Sequence, residues 1–191
     1  MWADYLYLGF DHILDLNGYD HILYVTALCA LYTFQQWRKL VWLVTAFTVG
    51  HSLTLAVVSL QLVTVPTVWV ERAIPVTIIL TGLGNLWILR NQQTTGMSGR
   101  IWQYGVTLCF GLIHGMGFSS YFQAILGREE SIIQPLLAFN LGVELGQLII
   151  VSLMMMVSGA LIEGAKMPQK YWTIPVSVVS VCVAFYLLMQ R

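Results

Sequence analysis

The sequence predicts an all-α fold, a polytopic membrane helix bundle of about six transmembrane helices preceded by a short N-terminal interfacial or re-entrant helix. Three observations carry this. Of the 191 residues 58% are hydrophobic and 9% charged, whereas soluble domains carry about 25% charge, and mean hydropathy is +0.74. Charge, Pro and Gly punctuate the chain into stretches of a length that spans hydrocarbon. Ionisable residues also sit alone in the middle of several of these stretches, where they are costly unless turned toward a bundle interior.

In chain order, Trp2 to Leu16 places Leu6, Phe10, Ile13 and Leu14 on one helical face and Asp4, Asp11 and Asp15 largely elsewhere, the pattern of a helix at an apolar boundary. Asn17-Gly18 breaks it. Spans are then expected over residues 19–36, 39–62, 70–90, 101–126, 132–162 and 171–190. Pro75 in the third marks a kink, and Thr77, Thr81 and Asn85 give that span a weakly polar inner face. The polar stretch from Asn91 to Gly99 is a connector. The whole of 1–191 reads as a single integral membrane domain.

Basic residues favour the cytoplasmic side of a membrane. Arg38, Lys39, Arg90, Arg100, Lys166 and Lys170 fall on one side of the predicted topology, and Arg72, Arg128 and Arg191 on the other. The expected orientation puts both termini outside, on the periplasmic side of a bacterial inner membrane. Asp4, Asp11, Asp15, Asp20, Glu71, Glu129 and Glu130 all fall at that outer face, where they raise the local cation concentration. Formal net charge is zero, so no nucleic-acid footprint is visible. The N-terminus lacks the basic flank and cleavage site of a removable signal peptide. Cys29, Cys109 and Cys182 have no ligand spacing and read as small hydrophobes in helix packing. Met154, Met155 and Met156 point in different directions and read the same way. No GxxxxGK[ST] phosphate loop is present, so any primary energy source lies elsewhere.

Four constellations carry the chemistry. The N-terminal FDHILDLNGYDHILY holds two Asp-His pairs, Asp11-His12 and Asp20-His21. Imidazole and carboxylate suit borderline divalent cations, and a carboxylate also orients a ligating imidazole from outside the ligand shell. In TAFTVGHSLTL, His51 shares a helical face with Thr48 and Ser52 by spacing. In CFGLIHGMGFSSYF, His114 is surrounded by Gly111, Gly115 and Gly117, which clear space around the imidazole. In AFNLGVELGQLI, Asn140, Glu144 and Gln147 form one polar face that must turn inward. Glu144 is either a metal ligand or a protonatable carboxyl.

Taken in order, the segments GYDHILYV, FTVGHSLTL, FGLIHGMGFS and FNLGVELGQ resemble the HupE/UreJ family of small bacterial membrane proteins, over about Tyr7 to Val151. The resemblance implies a bundle of six to seven helices associated with nickel or cobalt uptake for hydrogenase and urease maturation. By motif, the family's ligands carry over onto His12, Asp20, His21, His51, His114 and Glu144. The nickel-permease branch has a histidine followed after a short spacer by Asp-His. Here the spacer between His12 and Asp20-His21 is longer, and the chain looks like the second, less characterised branch.

The expected function is therefore a divalent transition-metal permease or metal-binding membrane protein. Nickel, cobalt or zinc would be held by these residues, with Asp11, Thr48, Ser52, Asn140 and Gln147 as supporting polar groups. The alternative is an intramembrane zinc-type hydrolase, in which three imidazoles and a carboxylate leave one metal position for water, Glu144 or Asp20 is the general base, and Ser52 contacts substrate. The partners expected are the lipid bilayer and the metal ion, with the chain acting alone or as a homo-oligomer.

Overall fold

The computed structural model describes residues 2–16, 18–91, 97–126 and 131–191. The predicted break at Asn17, most of the 91–99 connector, and Arg128, Glu129 and Glu130 lie outside these residues, and the side chain of Arg100 is not described. Seven α-helices follow one another: α1 (Trp2–Leu14), α2 (Asp20–Cys29), α3 (Trp37–Ser59), α4 (Thr67–Asn91), α5 (Met97–Leu126), α6 (Ile133–Ser158) and α7 (Lys170–Gln190). A 3-10 turn at Phe34–Gln36 leads into α3, and a π-helical segment, Gly159–Gly164, extends α6. No strand occurs among the described residues. The protein is an integral membrane helix bundle. Four helices are long and apolar enough to cross a bilayer, namely α3 with its leading turn, α4, α6 with its π extension, and α7. The 30 residues of α5 run alongside them.

Five of the six predicted spans correspond to helices whose ends agree to within about one turn. The first does not. The stretch predicted over 19–36 contains a helix of only ten residues, Asp20–Cys29, about 15 Å long against a hydrocarbon core of about 30 Å. A helix that stops inside a bundle must satisfy its last carbonyls there. Asn85 Nδ2 donates to Ala27 O, Thr173 Oγ1 to Ala30 O and Gln169 Nε2 to Leu31 O, each at 2.7 Å. Asn85 of α4, Thr173 of α7 and Gln169 just before α7 thus terminate α2 together.

Helix α1, expected at the interface or as a re-entrant segment, packs against the bundle. Tyr5, Gly9 and Ile13 are buried, and α1 lies on α6 with the backbones in contact. A Cβ on Gly9 would strike the Phe139 carbonyl, and one on Gly142 the Leu6 carbonyl. The crossing of α3 and α5 uses the same device, since Gly50 abuts the Leu108 carbonyl, Gly111 that of Phe47 and Gly115 that of His51. Phe47 opposite Gly111 and His51 opposite Gly115 make α3 and α5 parallel. Without a hydrophobic drive between helices in lipid, small residues that allow this approach set the interface. Helices α4 and α7 pair antiparallel, with Gly82 against Ser177 and Arg72 against Arg191.

Leu80, Leu83 and Trp87 of α4 and Leu141, Leu145 and Ile149 of α6 form exposed apolar faces for lipid. Trp37, Trp102 and Tyr171, exposed near the starts of α3, α5 and α7, mark one membrane interface. Trp2 and Trp69, exposed near the starts of α1 and α4, mark the other, as aromatic belts do.

Gly111→Leu should force α3 and α5 apart and destabilise the detergent-solubilised protein by at least about 1–3 kcal/mol. Gly105→Ala, where a Cβ meets nothing within 4 Å, should leave stability unchanged or slightly raised. Thermal unfolding of the two variants beside the parent checks this.

Candidate metal centre

All four histidines of the chain converge on one place. His12 stands near the end of α1, His21 is the second residue of α2, and His51 and His114 project from α3 and α5. Ring centroids are separated by 4.6 Å for His12 and His21, 5.9 Å for His12 and His51, 5.9 Å for His21 and His51, and 5.1 Å for His21 and His114. One nitrogen from each of His12, His21 and His51 lies within 4.8 Å of the other two. An ion bound to nitrogen at about 2.1 Å requires donors no more than about 4.2 Å apart. Donors within 4.8 Å of one another are close to that limit, and a bound ion would draw the rings slightly together.

The nitrogens are short of partners. His12 Nε2, both ring nitrogens of His21 and of His51, and His114 Nδ1 are buried without a hydrogen bond. Each such group costs about 1–3 kcal/mol in a dry interior. His21 Nδ1 lies 3.1 Å from Asp20 Oδ1, but without hydrogen-bond alignment. Asn140 faces His51, yet its Nδ2 is committed to the Leu136 carbonyl at 2.7 Å and its Oδ1 is itself unpartnered. Imidazole nitrogens gathered in one buried cluster are the donor set that borderline divalent ions take. These residues fit a metal ion.

His114 is held differently. Its Nε2 lies 2.9 Å from Thr77 Oγ1, and that hydroxyl donates to the Ile74 carbonyl at 2.7 Å. A hydroxyl has one proton, so with it directed to Ile74 the ring must donate from Nε2, which leaves the lone pair on the unpartnered Nδ1. Thr77 therefore fixes the tautomer that ligation needs. Aromatic rings wall the cluster. Phe118 packs at 3.9 Å from His12, Phe47 at 5.1 Å and Tyr24 at 5.2 Å from His114, and Phe139 stacks on His51 at 6.2 Å.

On one side the cluster opens into a vestibule of about 400 Å³. Asp11, Asp15, Asp20 and Glu71 line it, together with Arg191. Asp20 spans the two regions: Oδ1 accepts the His21 backbone N–H at 3.0 Å and Oδ2 accepts Arg191 Nη2 at 3.1 Å. Arg191 Nη1 also donates to the Glu71 carbonyl at 3.3 Å. Pro75, four residues on, has no N–H to offer that carbonyl. Pro75 thus leaves that carbonyl free to anchor the arginine at the mouth.

Glu144 occupies another place. It accepts hydrogen bonds from Thr45 at 2.6 Å and from Thr48, and Thr48 also contacts Gln147 Oε1 at 2.8 Å. Neither Glu144 nor His114 belongs to the set of donors within 4.8 Å. Ser52 Oγ donates to the Thr48 carbonyl of its own helix at 2.6 Å, and neither Ser52 nor Glu144 lines the vestibule. Thr45, Thr77, Tyr24 and Arg191 were not expected at the site. A threonine that bonds its own helix carbonyl gives no sign of a second partner in sequence.

Fold and site together define a polytopic membrane protein with an intramembrane imidazole cluster beneath an acidic vestibule. The chain belongs to the HupE / UreJ protein family, which matches it over residues 1–191. No curated protein and no solved structure matches it.

Thr77→Val keeps the shape of the side chain and removes the partner of His114. Zinc affinity should fall about 10- to 100-fold, the usual effect of losing an orienting partner, while the helix content remains parental. Calorimetric titration of the purified variant measures it.

Proposed function

We propose that the protein binds a divalent transition cation at His12, His21, His51 and His114 and passes it across the membrane, with the acidic vestibule facing the periplasm. The observation that carries this is the set of three imidazoles with donor atoms within 4.8 Å and no other hydrogen-bonding partner for most of their nitrogens. Membership of a family associated with nickel and cobalt transport supports the same reading.

The vestibule carboxylates raise the local concentration of a cation and offer oxygen ligands while water is shed. Asp20 positions His21 through its backbone N–H and shares its other oxygen with Arg191, so the arginine keeps the buried carboxylate compensated until a cation arrives. The imidazoles then replace the remaining water. A membrane potential negative inside favours inward movement of a divalent ion by about 4.6 kcal/mol per 100 mV, twice the value for one charge. Glu144, with Thr45, Thr48 and Gln147, supports α3 one turn from His51. His51 is the one histidine of α3 and His114 the one histidine of α5, so neither helix offers a replacement imidazole.

The hydrolase alternative asks for a base and a substrate-contacting hydroxyl beside the metal. Ser52 is turned back onto its own helix, Glu144 is engaged by two threonines, and Asp20 is engaged by the His21 N–H and by Arg191, which supports binding and transport over hydrolysis.

In detergent, parental protein loaded with nickel, cobalt or zinc should retain metal stoichiometrically by elemental analysis. His51→Ala and His114→Ala should each lose most of it and abolish uptake into proteoliposomes. Parental metal content and uptake in both variants would exclude the proposed site.

A further inference from the structure

The histidine cluster separates two cavities rather than closing one. A second cavity, of about 440 Å³, lies on the far side of His114. It extends past Ile88 and Gln103 toward the end of the bundle where α4 ends and α5 begins, opposite the vestibule.

The same three helices line both. On α4, Glu71 and Ile74 face the vestibule, and Thr81, Asn85 and Ile88 face the second cavity. On α5, Tyr121, Phe118 and His114 face the first, and Phe110, Thr107 and Gln103 the second. On α2, Asp20 and His21 face the first, and Tyr24 and Leu28 the second. These positions recur at spacings of three and four, so a single face of each helix runs along both cavities. The interruption between His114 and Phe110 is one turn, about 6 Å of helix rise.

The interruption is filled by Tyr24. Its ring stacks on Phe47 at 4.8 Å and meets His114 at 5.2 Å and Phe110 at 6.1 Å, while the hydrogen bond between Thr77 and His114 closes the remaining side. We propose that the two cavities are the halves of one permeation path for a divalent cation between α2, α4 and α5, and that Tyr24 is the side chain that closes it.

This rests on the metal-binding reading above and adds the route and its barrier. The chemistry changes across the barrier in the direction that release requires. The vestibule offers carboxylates, whereas the second cavity is lined by no carboxylate and offers hydroxyls and amides, from Tyr24, Tyr32, Thr81, Asn85, Gln103 and Thr107, among apolar walls. An ion held by imidazole on one side meets weaker ligands on the other, and conduction needs sites an ion can leave. Tyr24 stands three residues after His21 on the same short helix. A shift of α2 that withdraws the ring from Phe47 therefore withdraws a ligand from the cluster, coupling opening to release.

The test uses the full chain with Cys29, Cys109 and Cys182 replaced by Ala, carrying Gly84→Cys in the second cavity, where a Cβ meets nothing within 4 Å. A cationic methanethiosulfonate reagent is applied to each face of oriented membrane vesicles. With Tyr24 present, labelling is expected only from the face opposite the vestibule. Adding Tyr24→Ala should open labelling from the vestibule face, at least about tenfold faster than in its absence, and Tyr24→Phe should keep that face closed. Stoichiometric zinc in the Tyr24 variants confirms their fold. Labelling from the vestibule face with Tyr24 in place, or none from that face with Tyr24→Ala, overturns the proposal. Labelling by an uncharged apolar reagent alone also overturns it and identifies the second cavity as one filled by lipid chains. His51→Ala should lose zinc but keep the labelling pattern, so failure of the metal site and failure of the path give different results.

Discussion

Everything in this molecule follows from the cost of leaving a polar group unsatisfied where no water reaches it. In hydrocarbon each backbone or side-chain donor and acceptor must find a partner within the protein. The bundle meets that demand almost everywhere, through back-bonded threonines and serines and through the amides that terminate α2. The unmet groups concentrate on the imidazoles, and four nitrogens of His21 and His51 have no hydrogen-bonding partner. Each neutral imidazole carries one lone pair and one N–H, and a cation takes up the lone pair of each ring.

The short helices α1 and α2 make the site possible. Two full spans in their place would carry His12 and His21 on separate faces of long rods. As built, α1 ends and α2 begins beside each other at the depth of His51 and His114, and the glycine contacts bring α6 against α1 and α5 against α3 with no side chain between. Backbone approach on this scale converts four histidines far apart in sequence into rings about 5–6 Å apart. Asp20, with one oxygen on His21 and the other on Arg191, ties that cluster to the α4 and α7 pair through the Glu71 carbonyl.

Much of this was legible beforehand. Hydropathy and punctuation locate five long helices, because lipid imposes the same length and apolarity on each. His51 and His114 stand out because an ionisable group at mid-span needs a reason, and the repeated Asp-His pairs bring in His12, Asp20 and His21. The termination of α2 at Cys29 was not legible, since ILYVTALCALYTF continues the apolar run and the stop is imposed by Asn85, Thr173 and Gln169, remote in sequence. Helical spacing places Glu144, Asn140 and Gln147 on one inward face, but not which neighbours that face meets. In the structure Glu144 meets Thr45 and Thr48 rather than an imidazole. The assignment of Thr77 to His114 depends on the crossing of α4 and α5, which no local pattern encodes.

The central claim is that imidazole nitrogens are the ligands of an intramembrane cation. X-ray absorption spectroscopy of the zinc-loaded protein in detergent tests it most directly. The account predicts a first shell dominated by nitrogen at about 2.0–2.1 Å, with the outer-shell scattering of at least three imidazole rings. A first shell of oxygen alone, without imidazole scattering, would place the cation in the acidic vestibule and contradict it.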